Sequence, residues 1–599
     1  MRNSIQKKHI SLLNRRTFFL YLLKASLLSL VGWRLYKIQI LDSKKYKTLS
    51  KNNQIDIQIV FPLRGEIFDR NNNLIATNKV VYDLYLIPEK TISINETLNS
   101  ISKFIEINFN KRRKIIDLSK KIKKFEKIKI AENLEWDVIE DIETNKFKLN
   151  GIFISKDYIR VYPYKETFSH LLGYTNKPNQ KELSIPFISK MPNLDIGKAG
   201  MEKFFNLELV GKPGQREVEV NSRGRIIREI SLIESKKGSK ISLTLDIRLQ
   251  EYALNLLKSH RAGSIVVMNI QNGEILCMVS TPAYDPNKII KKPNINYWNK
   301  LLENKLAPLS YRSVQGLYSP GSTFKMIVAI AALKYGIIDT KSKNFCEGKI
   351  QFGDRLYHCW KTKGHGSMNI FDAIKESCDV FFYEIAKKIG IDRIAEVAKD
   401  FGLGKIYDIG LTNQKQGIVP SKKWKKNQIG ESWYAGETLI AGIGQGYVLT
   451  NPLQLSVMTA NIASDGNVIE PTLVKRKNFE FKKNKKYINE IGIVKESMYK
   501  VVNEIKGTAY KSRLDEIKFS GKTGTSQVKA ISIEERESED FRKKELEWKN
   551  RDHALFVGYM PSKNPKFSIS VVIEHGGSGA STAAPIAKQI FNYIHKLKI

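Results

Sequence analysis

The sequence predicts an α+β fold, and three observations carry that prediction. Ala262 to Ser280 reads as strand, turn, strand: Ser264–Ile270 is apolar, Gln271-Asn272-Gly273 is a turn, and Glu274–Val279 returns. Three more strand-like runs lie far along the chain, at Phe519–Val528, His553–Met560 and Phe567–Glu574. Apolar helical stretches stand between and after them, Met326–Leu333 and Ala584–Lys596. Strands from both ends with helices between them describe a central antiparallel sheet flanked by helices.

At 599 residues the chain is too long for one ordinary domain. Residues 1–16 form a basic tail with Arg2, Lys7, Lys8, Arg15 and Arg16. Residues 17–38 are apolar enough for one transmembrane helix, with Lys24 inside it and Arg34 near its far end. Both cations can snorkel towards water. No small-residue cleavage site follows, so the segment reads as a retained anchor. Arg15-Arg16-Thr17-Phe18-Phe19-Leu20 resembles a twin-arginine signal, but positive residues beside an anchor explain it more simply. The N-terminus is then cytoplasmic, and the bulk of the chain lies across the membrane.

Residues 39–238 carry turns, short strands and charged amphipathic helices such as Lys111–Lys127, an extended region without obvious chemistry. Val60 to Asn71 alternates apolar and polar residues and reaches the Asn71-Asn72-Asn73 turn, a hairpin pattern. The polar run Lys236–Lys240 marks a boundary, and 239–599 forms the second large domain, where Asp246 caps a helix.

Formal net charge is +38, from 99 Lys and Arg against 61 Asp and Glu. The basic residues are scattered and no finger, basic zipper or aromatic-interleaved RNA motif is present, so nucleic acid is not an expected partner. Anionic lipid or an anionic wall polymer suits such a surface. Four cysteines, Cys277, Cys346, Cys359 and Cys378, are too few for a disulfide scaffold. Cys277 lies in an apolar strand and reads as an inert buried thiol.

The chemistry gathers at Tyr318-Ser319-Pro320-Gly321-Ser322-Thr323-Phe324-Lys325. Ser322 falls in the first helical turn with Lys325 about one turn on, on the same face. A serine hydroxyl needs a base to become a nucleophile, and a buried lysine beside a second cation can be that base. Ser-x-x-Lys alone is common. Here Ser377-Cys378-Asp379 follows between two helical patterns, and Lys522-Thr523-Gly524-Thr525 follows on a strand.

This ordered triplet resembles the penicillin-recognising serine enzymes, the transpeptidases, carboxypeptidases and serine β-lactamases. Arg64-Gly65-Glu66-Ile67-Phe68-Asp69-Arg70 and Gly197 to Lys203 resemble the non-catalytic, dimerisation-type pedestal of class B penicillin-binding proteins. Ala441 to Tyr447 resembles a further part of their transpeptidase domain. Asp379, where many relatives have Asn, resembles the elongation-type branch, penicillin-binding protein 2. The resemblance implies Ser322 as nucleophile, Lys325 as base, and Ser377 as proton relay. It implies Asp379 as a holder of Lys325 or of the substrate amide, and Lys522 as a fixed positive charge for a C-terminal carboxylate. Thr523, Gly524 and Thr525 would bind that substrate, and the N–H groups of Ser322 and Thr525 would form the oxyanion hole.

The implied substrate is a D-alanyl-D-alanine stem peptide of peptidoglycan, with β-lactams as inhibitors and no cofactor needed for the chemistry. The implied setting is cell-wall elongation at the inner membrane, catalytic domain periplasmic, with a SEDS-family (RodA-type) glycosyltransferase and the elongation complex as partners. The charged stretch Glu534–Asp552 reads as a loop over the acceptor side or as a solvated helix.

Cys346, Cys359, His365 and Cys378 form a second candidate site. Three thiolates and an imidazole suit a closed structural zinc site, although their spacing is wider than in zinc ribbons. Some elongation-type relatives resemble this in carrying zinc there, with Asp at some ligand positions. A Cys346–Cys359 disulfide and separate buried thiols are the alternatives, and His358 is a second imidazole.

Overall fold

The computed structural model describes residues 15–46, 54–189, 191, 194–221, 225–290, 294–475, 482–483, 485–528 and 547–598. Residues 1–14 of the basic tail and 534–546 of the charged stretch lie outside the described residues.

The helix Arg15–Tyr36 runs on through a π turn, Lys37–Leu41, so the apolar span is Phe18–Leu41. It ends slightly beyond the expected Ile38. Its side chains from Phe18 to Tyr36 are all exposed, Phe19 and Leu28 among them. An apolar helix on which none of the described residues packs is at its free-energy minimum in hydrocarbon, which fits this one to a membrane anchor.

Two compact units follow, and they do not follow chain order. The first comprises the segments up to Leu63, Tyr82–Lys156 and Lys212–Lys236. Ile55–Val60, Gly214–Val220 and Ile226–Ile233 make an antiparallel three-stranded sheet with 214–220 in the middle. Leu84–Leu86 pairs with Ile128–Ala131, and Leu98, Ile115 and Ile142 from three helices bury against this pair. The helix expected to reach Lys127 is Phe109–Lys121. Ile122 is already extended, because the chain must turn there to bring Ile128 into its strand.

The second unit comprises Arg64–Val81, Asp157–Gly211 and Lys237–Ile599. The expected hairpin is present. Ile67–Phe68 pairs with the start of Leu74–Leu86, Asn72 takes φ +64, and Asp69 Oδ1 accepts from the N–H groups of Asn71 and Asn73. Asn tolerates that left-handed backbone better than most residues.

Within this unit Glu202 is fully buried between two guanidiniums. Arg64 Nε donates to Glu202 Oε2 and Arg160 Nε to Oε1, each at 2.7 Å. Burial alone would raise the Glu202 carboxyl, but Arg160 and Arg64 outweigh it and hold the pKa below the usual range. Glu202→Ala strands two buried cations, so it is expected to lower unfolding free energy by about 3–5 kcal/mol in urea titration. A loss below about 1 kcal/mol would show that the arginines find water instead.

The catalytic part of the unit begins with α1 (Ile247–Leu257), whose N-cap Asp246 accepts from Arg248 N–H as the sequence indicated. It continues through β1 (Gly263–Asn269), β2 (Ile275–Thr281), α2 (Lys325–Lys334), α3 (Asp379–Ile389), α4 (Pro452–Ala463) and α5 (Ile488–Asn503). It closes with β3 (Ser520–Ser526), β4 (His553–Met560), β5 (Phe567–Ile573) and α6 (Ala584–Leu597). The strands form one antiparallel sheet in the order β2-β1-β5-β4-β3. Its two faces are covered by helices. Ser568 and Ser570 of β5 bond α4, while Ile573 lies against Leu257 of α1 across Gly263. Cys277, in β2, is fully buried and its thiol pKa is pushed up by that burial. Among the described residues β3, the strand of Lys522, is one of the two edges of this sheet.

Candidate active site

Tyr318 pairs its backbone with Thr450, and the chain then turns through Gly321–Thr323 into α2. Gly321 has φ +53, and a Cβ there would sit 2.5 Å from Thr525 O. Only glycine lets the nucleophile's turn lie this close to the edge strand. Gly321 N–H donates to Gly444 O at 2.9 Å, and a Cβ on Gly444 would sit 2.2 Å from Gly321 O. The Gly-rich stretch Ala441–Tyr447 therefore packs directly beneath Ser322. Behind the turn, Tyr318 O–H donates to Glu574 Oε1 at 2.7 Å, and Arg312 Nε reaches the same oxygen at 2.8 Å.

Lys325 opens α2 and is fully buried. Its Nζ donates to Asp379 Oδ1 at 2.7 Å, to Ser377 O at 2.9 Å and to Ser377 Oγ at 3.3 Å. The Phe382 ring lies 5.4 Å from the ammonium. Ser377 sits just before α3 in left-handed backbone, φ +59, unusual for serine. That turn points its hydroxyl at both lysines, for Lys522 Nζ donates to Ser377 Oγ at 2.9 Å.

Burial, and then the nearby Lys325 charge, press the Lys522 pKa well below that of a free lysine. The sequence reading made Lys522 the fixed cation that suppresses Lys325. In the structure burial and the Lys325 charge act on Lys522, whose Nζ donates to Ser377 Oγ and Thr523 O.

Ser322, Ser377, Asp379, Thr523, Gly524 and Thr525 all line one cavity of about 600 Å³. Lys325 and Lys522 lie beneath its floor. Two residues that sequence reasoning missed complete the wall. Trp360 donates its N–H to Asp379 Oδ2 at 2.9 Å and its Nε1–H to Ser377 O at 3.1 Å. Thr508 shares a 2.7 Å hydrogen bond with the Thr523 hydroxyl. Neither stands in a motif; their positions follow only from tertiary packing.

The second candidate site lies behind this wall. One donor atom from each of Cys346, Cys359, His365 and Cys378 falls within 4.8 Å of the others. His365 Nδ1 is 3.6 Å from Cys346 Sγ and 3.5 Å from Cys359 Sγ. All four cysteines of the chain are free thiols, so no Cys346–Cys359 bridge is present. His358 is not in the group. The thiols are crowded: the neighbouring Cys378 favours the thiolate of Cys359 and lowers its pKa, while the pKa of Cys378 rises. Cys359 Sγ also accepts the Asp379 N–H at 3.3 Å, tying the cluster to the catalytic loop.

Family models match most of the chain. Residues 263–592 match the penicillin-binding protein transpeptidase domain, and residues 59–243 match the penicillin-binding protein dimerisation domain. The peptidoglycan D,D-transpeptidase MrdA of Escherichia coli K12 is 32% identical over 579 residues, covering 94% of this chain and 90% of that protein. MrdA of Haemophilus influenzae is 32% identical, with 98% and 92% covered. Among solved structures, penicillin-binding protein PBP2 in its complex with MreC from Helicobacter pylori superposes with a TM-score of 0.78. It shares 29% identity and covers 91% of this chain and 99% of that one.

Fold and site thus define a serine acyltransferase built from the two modules of a penicillin-binding protein. Acyl transfer of this type needs no cofactor. The chain belongs to the class B penicillin-binding protein family, in its penicillin-binding protein 2 branch, and is a serine-type peptidoglycan D,D-transpeptidase.

Proposed function

We propose that the protein cross-links peptidoglycan stem peptides through an acyl-enzyme on Ser322 during cell-wall elongation. The observation that carries this reading is the Ser377 hydroxyl, bridged between Lys325 and Lys522 at the floor of the Ser322 cavity. The arriving carboxylate draws a proton from Lys325 through the bridging Ser377 hydroxyl onto Lys522. Ser322 Oγ then attacks the carbonyl of the penultimate D-alanine while the neutral Lys325 amine takes its proton. The N–H groups of Ser322 and Thr525 receive the oxyanion. The C–N bond breaks, and Ser377 passes the proton to the leaving D-alanine. An acceptor amine then attacks the ester, and Ser322 regains its proton.

Lys522, Thr523 and Thr525 hold the terminal carboxylate, with Gly524 giving it room. An arriving carboxylate restores positive charge to Lys522, whose depressed pKa leaves it ready to gain a proton. Asp379 and Trp360 keep Lys325 and Ser377 in register. β-Lactams enter by the same carboxylate and acylate the same serine. Added amine acceptor should divert most acyl-enzyme from hydrolysis into a cross-linked product, read by mass spectrometry of the products. Hydrolysis alone at saturating acceptor would make the protein a carboxypeptidase.

In this reading residues 1–16 are a cytoplasmic tail, 17–38 the anchor, 39–238 the pedestal and 239–599 the transpeptidase domain. The basic residues Arg15 and Arg16 favour a cytoplasmic N-terminus and a periplasmic active site at the inner membrane. The H. pylori relative was solved with MreC, and another similar structure comes from a peptidoglycan synthase complex that coordinates polymerisation and crosslinking. We infer the same kind of assembly here, with a SEDS-family (RodA-type) glycosyltransferase supplying the glycan.

We further propose that Cys346, Cys359, His365 and Cys378 hold a structural zinc ion. In a tetrahedral zinc site a thiolate and an imidazole nitrogen are about 3.6 Å apart, from the usual bond lengths. The two S···N distances here, 3.6 and 3.5 Å, fit that edge. Such an ion would fix the loop that carries Ser377 and Asp379. About one zinc per chain is expected by elemental analysis, lost in Cys378→Ser together with several degrees of melting temperature. Metal-free protein of wild-type stability would reject the site.

A further inference from the structure

The far end of the cavity holds a carboxylate that the steps above leave unused. Asp552 lines the same cavity as Ser322, next to Gln527 and Ser578. It stands immediately before β4, where His553 pairs with Ser526, so it faces the chain just beyond the Lys-Thr-Gly segment. Its Oδ1 accepts the Val528 N–H at 3.3 Å, and its backbone oxygen accepts the Gly577 N–H at 2.8 Å. Among the described residues two acids line the cavity, Asp379 and Asp552. Asp379 is committed to Lys325 and Trp360. No lysine or arginine among the described residues pairs with Asp552, although the His575 imidazole lies near enough to favour its charged form. Burial raises its pKa, as it does for a carboxylate awaiting a positive charge.

The geometry along β3 says which charge. Among the described residues β3 is an edge strand of the sheet, so an extended donor peptide can add to it as a further strand. With the terminal carboxylate at Lys522 and Thr523, and the acyl carbon between Ser322 and Thr525, the donor's earlier residues run past Ser526 and Gln527. From Thr525 to Gln527 is about 7 Å of strand, enough for the residue that precedes the acylated D-alanine. Its side chain leaves the added strand level with Asp552.

We propose that Asp552 binds the side-chain ammonium of a diamino acid in the donor stem peptide, at the residue preceding the acylated D-alanine, and so selects the donor. This rests on Ser322 acylation as described above. An ammonium could also arrive on the acceptor strand, and the experiment separates the two sources.

Full-length protein in detergent is offered two donor peptides ending in D-Ala-D-Ala. They are identical except that the lysine preceding that pair has a free or an acetylated side-chain amine. The rate of D-alanine release with no acceptor present measures acylation alone. Wild type should favour the free amine by about tenfold in kcat/KM, since one charge-assisted hydrogen bond is at stake. In Asp552→Asn that ratio should fall towards one, and Asp552→Glu should recover part of it. Melting temperature, read alongside, shows whether each variant is folded. Equal wild-type rates for the two donors overturn the proposal and leave the Ser322 reading standing. A preference that appears only when amine acceptors are varied assigns the charge to the acceptor and overturns the donor assignment. No acylation by either donor, with no penicillin labelling of wild type, overturns both readings.

Discussion

Replacing Ser322 with alanine abolishes covalent β-lactam labelling, with a loss of about 10⁴-fold or more in acylation rate. The substitution removes one oxygen from a half-buried position at the mouth of the cavity. The hydrogen bonds that build the site belong to its neighbours. Gly321 N–H bonds Gly444, Thr323 Oγ1 donates to Pro320 O, and Lys325 bonds Ser377 and Asp379. None of these involves the Ser322 hydroxyl, so the variant should fold and melt within a degree or two of wild type. Fluorescent penicillin, followed by gel and by intact mass, makes the measurement. Stoichiometric labelling of a folded Ser322→Ala protein would place the nucleophile on another residue.

Much of this site was legible because its residues come in short runs with local reasons. Ser322 and Lys325 share a turn, and Lys522 to Thr525 share a strand. The strands of the sheet were read to within two residues because four are bounded apolar runs and the fifth carries the Lys-Thr-Gly motif. The electrostatics were not legible. Lys325 and Lys522 are 197 positions apart, and the charge that depresses Lys522 comes from a residue that only the fold brings beside it. Sequence order cannot say that Asp379 sits on one and not the other. Trp360 and Thr508 were missed for the same reason: a backbone N–H and a lone threonine have no spacing signature.

The compact units were hidden by the path of the chain. Residues 64–81 and 157–211 are read from sequence with the pedestal, yet they share a compact unit with 237–599. The Arg64–Glu202–Arg160 cluster explains part of this, because two segments far apart in sequence must meet to neutralise one buried acid. Composition gave no hint, since arginine and glutamate abound on any charged surface. The cysteines stand between these cases. Their types suggested one site with His365 in it, and the fold brings those four donor atoms together.

Lys325→Ala should lower the rate of β-lactam acylation by about 10³-fold or more while weakening initial β-lactam binding far less. The structure separates the two effects. Lys325 Nζ bonds Asp379 and Ser377, whereas the ligand carboxylate is assigned to Thr523 and Thr525, which line the cavity, with Lys522 behind them. Removing the Lys325 charge also removes one of the two causes that depress the Lys522 pKa. Lys522 then holds its proton to higher pH, and carboxylate binding persists over a wider alkaline range. Lys325→Arg is the sharper variant. A guanidinium can keep the Asp379 ion pair, yet it does not give up a proton near neutral pH, so it preserves charge and removes the base. Stopped-flow acylation across a range of β-lactam concentrations resolves binding from the chemical step. If the base is Lys325, both variants lose the chemical step. Acylation within tenfold of wild type in Lys325→Arg would show that the charge beside Ser377 matters and that the proton leaves Ser322 by another route.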